Sequence, residues 1–183
     1  MSKKIKTLLF FFLAFSFVIN AQTDFDKKLI SRKTNSIVKQ LEKFDKVTGP
    51  HIGKAALKSD QYILFEKLKK QASDQELFQL TNYTNPIVRA YAFYGLCDKN
   101  SSLVMDVISK NQYDTALVKQ QFGCIGSTNT VIGFMMELLD DYLEKNEIVL
   151  TTEQETLIEN IEARQDEWYD RKLEKDMERN KNK

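Results

Sequence analysis

The chain has 183 residues, 29% of which are charged, and its 27 basic and 26 acidic side chains leave a net charge of +1. A charge this close to zero excludes the strong basic excess that drives binding to phosphate backbones, so we expect no nucleic-acid partner. Two prolines and six glycines are few chain-breaking residues, and this composition favours helices over a strand-rich sandwich. The length is sufficient for one hydrophobic core.

The N-terminus has the order of features expected of an export signal. Lysines at positions 3, 4 and 6 precede the uncharged apolar run Leu8–Ile19, and the small residue Ala21 follows it. The run is shorter than the roughly 20 apolar residues that a membrane-spanning helix needs. Residues 1–21 are therefore predicted to be a signal peptide cleaved after Ala21, with an uncleaved anchor as the alternative. The mature chain is then expected in the periplasm or outside the cell, with no membrane span.

Apolar residues recur at helical spacing along most of the remaining chain. A first amphipathic helix is predicted from Thr23 to Lys46, within an N-terminal unit of residues 22–48, and the Gly49-Pro50 pair ends it. A second helix is predicted over residues 59–71. A third begins at Ser73, which forms a capping box with Glu76.

The clearest helix is predicted over residues 85–97, because Asn85 is a good N-cap and Pro86 is tolerated at the first helical position. Its residues are apolar on more than one face, which predicts packing on two sides. Arg89 is a charge inside this apolar helix, where it is costly unless it is paired. We expect it to bond a neighbouring loop or carboxylate, with a direct role in ligand binding as the alternative. Further helices are predicted to begin at Ser101 or Ser102, at Asp114 or Thr115 and at Asn129 or Thr130.

Similar residue pairs recur at a nearly constant spacing in the middle of the chain. Val88-Arg89 recurs as Val118-Lys119, and Tyr94-Gly95 recurs as Phe122-Gly123, at offsets of 30 and 28 residues. The stretch Asn85–Leu96 resembles the first helix of short bacterial HEAT-like repeats of the armadillo/HEAT superfamily. This resemblance implies an all-α fold, with a short right-handed α-solenoid of helix pairs over residues 49–144. It also implies a protein-binding scaffold.

Residues 145–183 are predicted to form a charged C-terminal helix and tail. Thr152 and Glu155 have the spacing of a capping box. The apolar positions that follow are expected to dock this helix on the end of the solenoid, and they are Leu157, Ile158, Ile161, Trp168 and Tyr169. The tail from Arg171 is expected to be a solvated helix, with a partner-docking arm as the alternative.

No residue pattern indicates catalysis. His51 is the single histidine and is predicted to be an idle loop residue, and one histidine with two distant cysteines does not make a zinc site. We therefore expect neither an enzyme nor a cofactor. The offset of 28–30 residues between the helices predicted to carry Cys97 and Cys124 leaves two states open, a disulfide between the two cysteines or two free thiols.

The sequence thus predicts a protein–protein interaction or scaffold module in the bacterial envelope. Tyr83 and Tyr113 are candidate anchors on the loops between repeats, because tyrosine is enriched at binding hot spots. The alternative is a small-ligand-binding protein or an unrecognised enzyme with a pocket near Arg89. Self-association is a further alternative.

Overall fold

The structure of the protein is a computed structural model that describes residues 25–181, with side chains described as far as residue 179. The predicted signal peptide lies outside the described residues. No helix within the described range is both long and apolar enough to cross a membrane. After a 3-10 turn at Lys27–Leu29, the elements in chain order are α1 (Arg32–Leu41), β1 (Val47–Ile52), β2 (Leu57–Lys58), α2 (Asp60–Gln71), α3 (Asp74–Leu80), α4 (Pro86–Asp98), α5 (Val104–Asn111), β3 (Leu117–Gly123), β4 (Ile125–Thr130), α6 (Val131–Lys145) and α7 (Thr152–Lys181).

The four strands form one mixed sheet in the order β2-β1-β3-β4. β1 pairs with β2 in antiparallel fashion and with β3 in parallel, so that Val47 lies opposite Gln120. β3 and β4 form an antiparallel hairpin that runs from the pair Leu117 and Thr130 to the pair Phe122 and Ile125.

This sheet makes the prediction of an all-α solenoid wrong. The segment predicted to be the helix from Asp114 or Thr115 is the β3–β4 hairpin, and the predicted break at Val47–Ile52 is a paired strand. The apparent repeat between Val88-Arg89 and Val118-Lys119 therefore matches a helix with a strand. Likewise, the region 49–144 is not an array of helix pairs, and the implied relation to HEAT-like repeats loses its structural basis.

The first residues of the hairpin alternate between buried and exposed positions, as the residues of a strand do. Val118 is buried and its neighbours Leu117 and Lys119 are exposed, which is the alternation of a strand with one covered face. Gly123 has φ +58° at the first position of the two-residue turn, which is where hairpin turns of type II′ prefer glycine. Apolar positions at 117, 118 and 122 also fit a helical period, so spacing alone did not separate the two structures.

The remaining helices agree with their predicted starts where a side chain caps them. Asn85 Oδ1 accepts a hydrogen bond from Ile87 N at 2.8 Å, with Pro86 at the first helical position. Ser73 and Glu76 form the predicted capping box, and Thr130 caps α6. Three boundaries differ. Helix α5 begins at Val104 after Leu103, which makes no side-chain cap, rather than at Ser101 or Ser102. The box before α7 joins residues 151 and 154, one residue earlier than predicted, and α1 is shorter than predicted because Ser31 caps it.

The core surrounds α4, which is buried on nearly all sides, as its sequence predicted. Tyr91, Phe93 and Leu96 of α4 are fully buried among side chains of the neighbouring helices. The sheet is tied to this helix by Tyr91, whose Oη accepts a hydrogen bond from Thr48 N of β1 at 2.8 Å. The sheet thus lies on one side of a helical core.

Candidate functional site: a basic groove beside the β3–β4 hairpin

The β3–β4 hairpin has one covered face and one open face. On the covered face Val118 is buried, and the Phe122 ring stacks on Phe134 of α6 with 6.4 Å between ring centroids. The alternation of the strand places Leu117 and Lys119 on the opposite face, where both side chains are more than half exposed. The open face of the hairpin is therefore available to a partner.

Helix α7 is held by apolar contacts of Leu157, Ile158 and Ile161 with the core and by polar contacts with β4. Ile161 is its one fully buried apolar residue in the described structure. Thr130 Oγ1 donates a hydrogen bond to Gln165 Oε1 at 2.6 Å, and Lys172 Nζ donates to the Thr128 carbonyl at 3.2 Å. These contacts hold the C-terminal half of α7 beside the hairpin, where it forms one wall of a groove.

Two adjoining cavities follow this wall and share the lining residues Thr128 and Lys172; together they are here named the basic groove, with a helix lobe and a sheet lobe. The helix lobe has a volume of about 270 Å³ and is lined by Leu117, Thr128, Trp168, Arg171, Lys172, Lys175, Asp176 and Arg179. The sheet lobe has a volume of about 300 Å³ and is lined by Lys46, Lys119, Gln120, Gln121, Gly126, Ser127, Thr128 and Lys172.

Positive charge in the basic groove exceeds negative charge. Three of its six basic side chains have acidic neighbours: Lys119 pairs with Asp45 at 3.7 Å, and the two arginines pair with acidic residues of α7 at 3.3 and 3.8 Å. The other three make no ion pair with any described side chain, and they are Lys46, Lys172 and Lys175. The groove therefore favours an anionic ligand.

The helix lobe adds apolar surface to this charge. Lys172 Nζ lies 4.9 Å from the centroid of the Trp168 ring, and Tyr169 meets that ring edge-on at 4.9 Å. Leu117 faces the same lobe and is largely exposed. An apolar wall next to cations is suited to a ligand that carries both carboxylates and carbon-rich side chains.

The two tyrosines predicted as anchors lie in different settings. Tyr83 is 7% exposed, and its Oη donates a hydrogen bond to Glu42 Oε2 at 2.7 Å, so it is a packed structural residue rather than a surface anchor. Tyr113 is 70% exposed, and the guanidinium of Arg164 from α7 lies 4.7 Å from its ring centroid. Neither residue lines the basic groove.

Arg89 is paired in the way that its sequence position predicted. Its guanidinium makes a bidentate contact with Asp114, from Nε at 2.6 Å and from Nη2 at 2.9 Å. Nη1 donates to the carbonyl oxygens of Tyr83 and Thr84 at 2.8 and 2.9 Å. These contacts join the start of α4 to the loop before β3, and neither lobe of the groove includes Arg89.

Cys97 and Cys124 are both free cysteines. Cys97 is buried in α4, and this burial raises the pKa of its thiol. Cys124 is exposed at the turn between β3 and β4, rather than on a helix adjacent to α4 as the solenoid required. His51, predicted in a loop, is an exposed residue of β1 opposite Lys58.

Sequence reasoning missed the residues of the basic groove. Lys46 precedes β1, Lys119 lies on β3 and Lys175 lies on α7, so these cations come from three distant parts of the chain. Lysine at the end of a helix or in a charged tail is common on solvated surfaces, and no local pattern marked these three. The one sequence signal was Trp168, the single tryptophan, in an otherwise charged segment.

Within residues 25–179, no three His, Cys, Asp or Glu side chains are placed to hold a metal ion. Comparison with protein-family models, curated proteins and solved structures found no match to this chain.

Proposed function

We propose that the protein is a binding module that holds an acidic segment of another protein in the basic groove. The observation that carries the proposal is the position of Lys46, Lys172 and Lys175, which line one groove without an ion-pair partner among the described side chains. Clustered charge of one sign in a concave surface attracts a partner of the opposite sign and speeds its association.

The chemistry of the groove favours a protein segment over a nucleic acid. The lysines are interspersed with the amides of Gln120 and Gln121 and with the apolar surface of Leu117 and Trp168. Peptide groups and carbon-rich side chains find partners in such a mixture. Nucleic-acid binding draws on a larger basic excess than a chain with a net charge of +1 provides.

Export is the second part of the proposal. Residues 1–21 act as a signal peptide, and the module works in the bacterial envelope or outside the cell. The support is the basic start, the short apolar run Leu8–Ile19 and the small residue Ala21. Expression of the full chain in a bacterial host, followed by N-terminal sequencing of the periplasmic fraction, tests this part. A chain that begins at Gln22 supports it, and a full-length chain kept in the cytoplasm contradicts it.

The binding proposal is tested by fluorescence anisotropy with a labelled peptide of alternating glutamate and threonine. The double variant K119E/K175E reverses one exposed charge in each lobe and leaves Lys172 in place. Each exposed charge contributes up to about 1 kcal/mol, so the two reversals should weaken binding by about tenfold or more. The matched control K67E/K70E makes the same change in net charge at two exposed lysines of α2 that line neither lobe, and it should bind as the wild type does.

Three results would contradict the proposal. They are no binding of the acidic peptide at low salt, equal losses in K119E/K175E and in K67E/K70E, and stronger binding of a single-stranded oligonucleotide than of the peptide. Binding to the groove should also weaken as salt rises, because exposed charges are screened over about 10 Å at 0.1 M salt.

The alternative of a ligand pocket beside Arg89 has less support. Arg89 is 6% exposed, and its guanidinium already bonds Asp114 and two backbone carbonyls. A ligand there would have to break a buried ion pair, which costs several kcal/mol.

A further inference from the structure

The outer edge of β4 borders the basic groove. β4 is the last strand in the sheet order, so its outer side has no strand neighbour among the described residues. The Thr128 carbonyl points to this outer side, because it accepts its hydrogen bond from Lys172 of α7 and not from β3.

The direction of the Thr128 carbonyl fixes the direction of its neighbours. In an antiparallel pair, the N–H and C=O of one residue point to the same side, and the side alternates along the strand. The N–H of Thr128 and both backbone groups of Gly126 therefore also point outwards. The bond from Val131 N to the Ala116 carbonyl, at 2.8 Å, agrees with this alternation, since Val131 is an odd-numbered position that faces β3.

The sheet lobe opens onto this edge. Gly126 and Thr128 both line the sheet lobe. At Thr128 the backbone of α7 is separated from the edge by the side chain of Lys172 and a hydrogen bond of 3.2 Å. A strand added here would take the place of the Lys172 ammonium at the Thr128 carbonyl.

We infer that the acidic segment binds as an added β-strand, with its backbone bonded to Gly126 and Thr128; this inference rests on the proposed function. Addition of a strand to a sheet edge draws affinity from main-chain bonds and specificity from alternate side chains. On binding, the ammonium of Lys172 leaves the Thr128 carbonyl and pairs with a carboxylate of the segment. In the free protein the same lysine covers the edge, a common protection against unwanted strand pairing.

The preferred partner is consequently an extended segment with an acidic residue at every second position. Successive side chains of a strand point to opposite faces, so one set of side chains faces the cations of the groove. A slip of one residue would turn all the carboxylates to the other face. The peptide of alternating glutamate and threonine fits this requirement, because its alternation determines which of its residues face the cations of the groove.

The test compares two N-methylated forms of that peptide. One form is methylated at the amides of the glutamates and the other at the amides of the threonines, so both keep the same charge and the same number of methyl groups. An added strand bonds β4 through only one of these two sets. Methylation of that set should weaken binding by about tenfold or more, because one or two hydrogen bonds to β4 are lost. Methylation of the other set should change the affinity by less than about twofold.

Amide exchange followed by NMR gives an independent readout on the protein. The amides of Gly126 and Thr128 should become protected when the unmodified peptide binds. The amides of Ser127 and Asn129, which face β3, should be protected in both states. Protection that does not change at Gly126 and Thr128 would overturn strand addition.

The outcomes separate the inference from the proposed function. If both methylated peptides bind equally well, or lose affinity equally, while K119E/K175E still weakens the unmodified peptide, then the groove binds acidic segments but not as a strand. If the unmodified peptide does not bind at all, the proposed function fails, and the inference fails with it.

Discussion

Replacement of Glu76 by glutamine should destabilise the protein in a manner that depends on pH. One carboxylate serves two helix starts: Glu76 Oε1 accepts a hydrogen bond from Ser31 N at 2.7 Å, and Oε2 accepts one from Ser73 N at 2.8 Å. Ser31 caps α1 and Ser73 caps α3. Partial burial opposes the charged form of Glu76, but the two backbone donors outweigh it and lower the pKa of the carboxyl from 4.5 to about 2.

The size of the effect follows from this change in pKa. A shift from 4.5 to about 2 corresponds to about 3 kcal/mol of stability. Solvent near the carboxylate reduces this value, and we expect about 2 kcal/mol at pH 7. Because the pKa is lower in the folded state, the contribution is complete above about pH 5 and is lost as the pH falls from 4.5 towards 2. Glutamine keeps one acceptor oxygen but turns an amide N–H towards the second donor.

Urea unfolding followed by circular dichroism at pH 7 and pH 3 measures this contribution. E76Q should be less stable than the wild type by about 2 kcal/mol at pH 7 and by less than half of that at pH 3. E144Q, at an exposed position of α6, is the matched control and should be within about 0.5 kcal/mol of the wild type at both pH values. A difference for E76Q that is equal at the two pH values, or absent at pH 7, would refute the assignment of this carboxylate as a charged double cap.

Three further substitutions test other contacts. Asp114→Ala leaves the buried Arg89 without its carboxylate and should lower the free energy of unfolding by about 3–5 kcal/mol; a loss below about 1 kcal/mol would show that the pair is not buried in solution. Gly133→Ala places a methyl group against the Asn129 amide of β4 and 2.9 Å from Gln165 Oε1, and should loosen the contact of α6 with both β4 and α7. Limited proteolysis should detect this as faster cleavage within α7, and an unchanged rate would contradict the close approach of α6 and α7. Tyr91→Phe removes a buried hydroxyl that bonds β1 and should cost about 1–2 kcal/mol in thermal or urea unfolding, whereas a neutral result would mean that β1 is held by other contacts.

Local chemistry accounts for the features that the sequence predicted well. Asn85-Pro86 and Ser73 with Glu76 satisfy backbone N–H groups within a few residues of themselves, so these helix starts depend little on the rest of the fold. The burial of α4 was also predictable, because a helix that is apolar on all sides has to be covered on all sides. Arg89, as a charge in that helix, needed a partner wherever the chain supplied one.

The β3–β4 hairpin was not predictable in this way. Leu117, Val118 and Phe122 fit either a helix or a strand, and intrinsic strand preference depends on what the strand packs against. The parallel pairing of β3 with β1 settled the choice, because it gave the backbone of β3 a partner some 70 residues away in the chain. An apparent repeat with the helix at Asn85–Leu96 could not reveal that pairing.

The sequence by itself therefore determined the capped starts of α3, α4 and α6, the central buried helix and the need of Arg89 for a partner, since each depends on residues close together in the chain. Only the tertiary structure decided the sheet and the basic groove. The parallel pairing of β1 and β3 brings Lys46 near Lys119, and the docking of α7 along β4 brings Lys172 to Thr128. Electrostatic attraction for a ligand depends on distances in space, and the folding of three separate segments into one groove sets those distances.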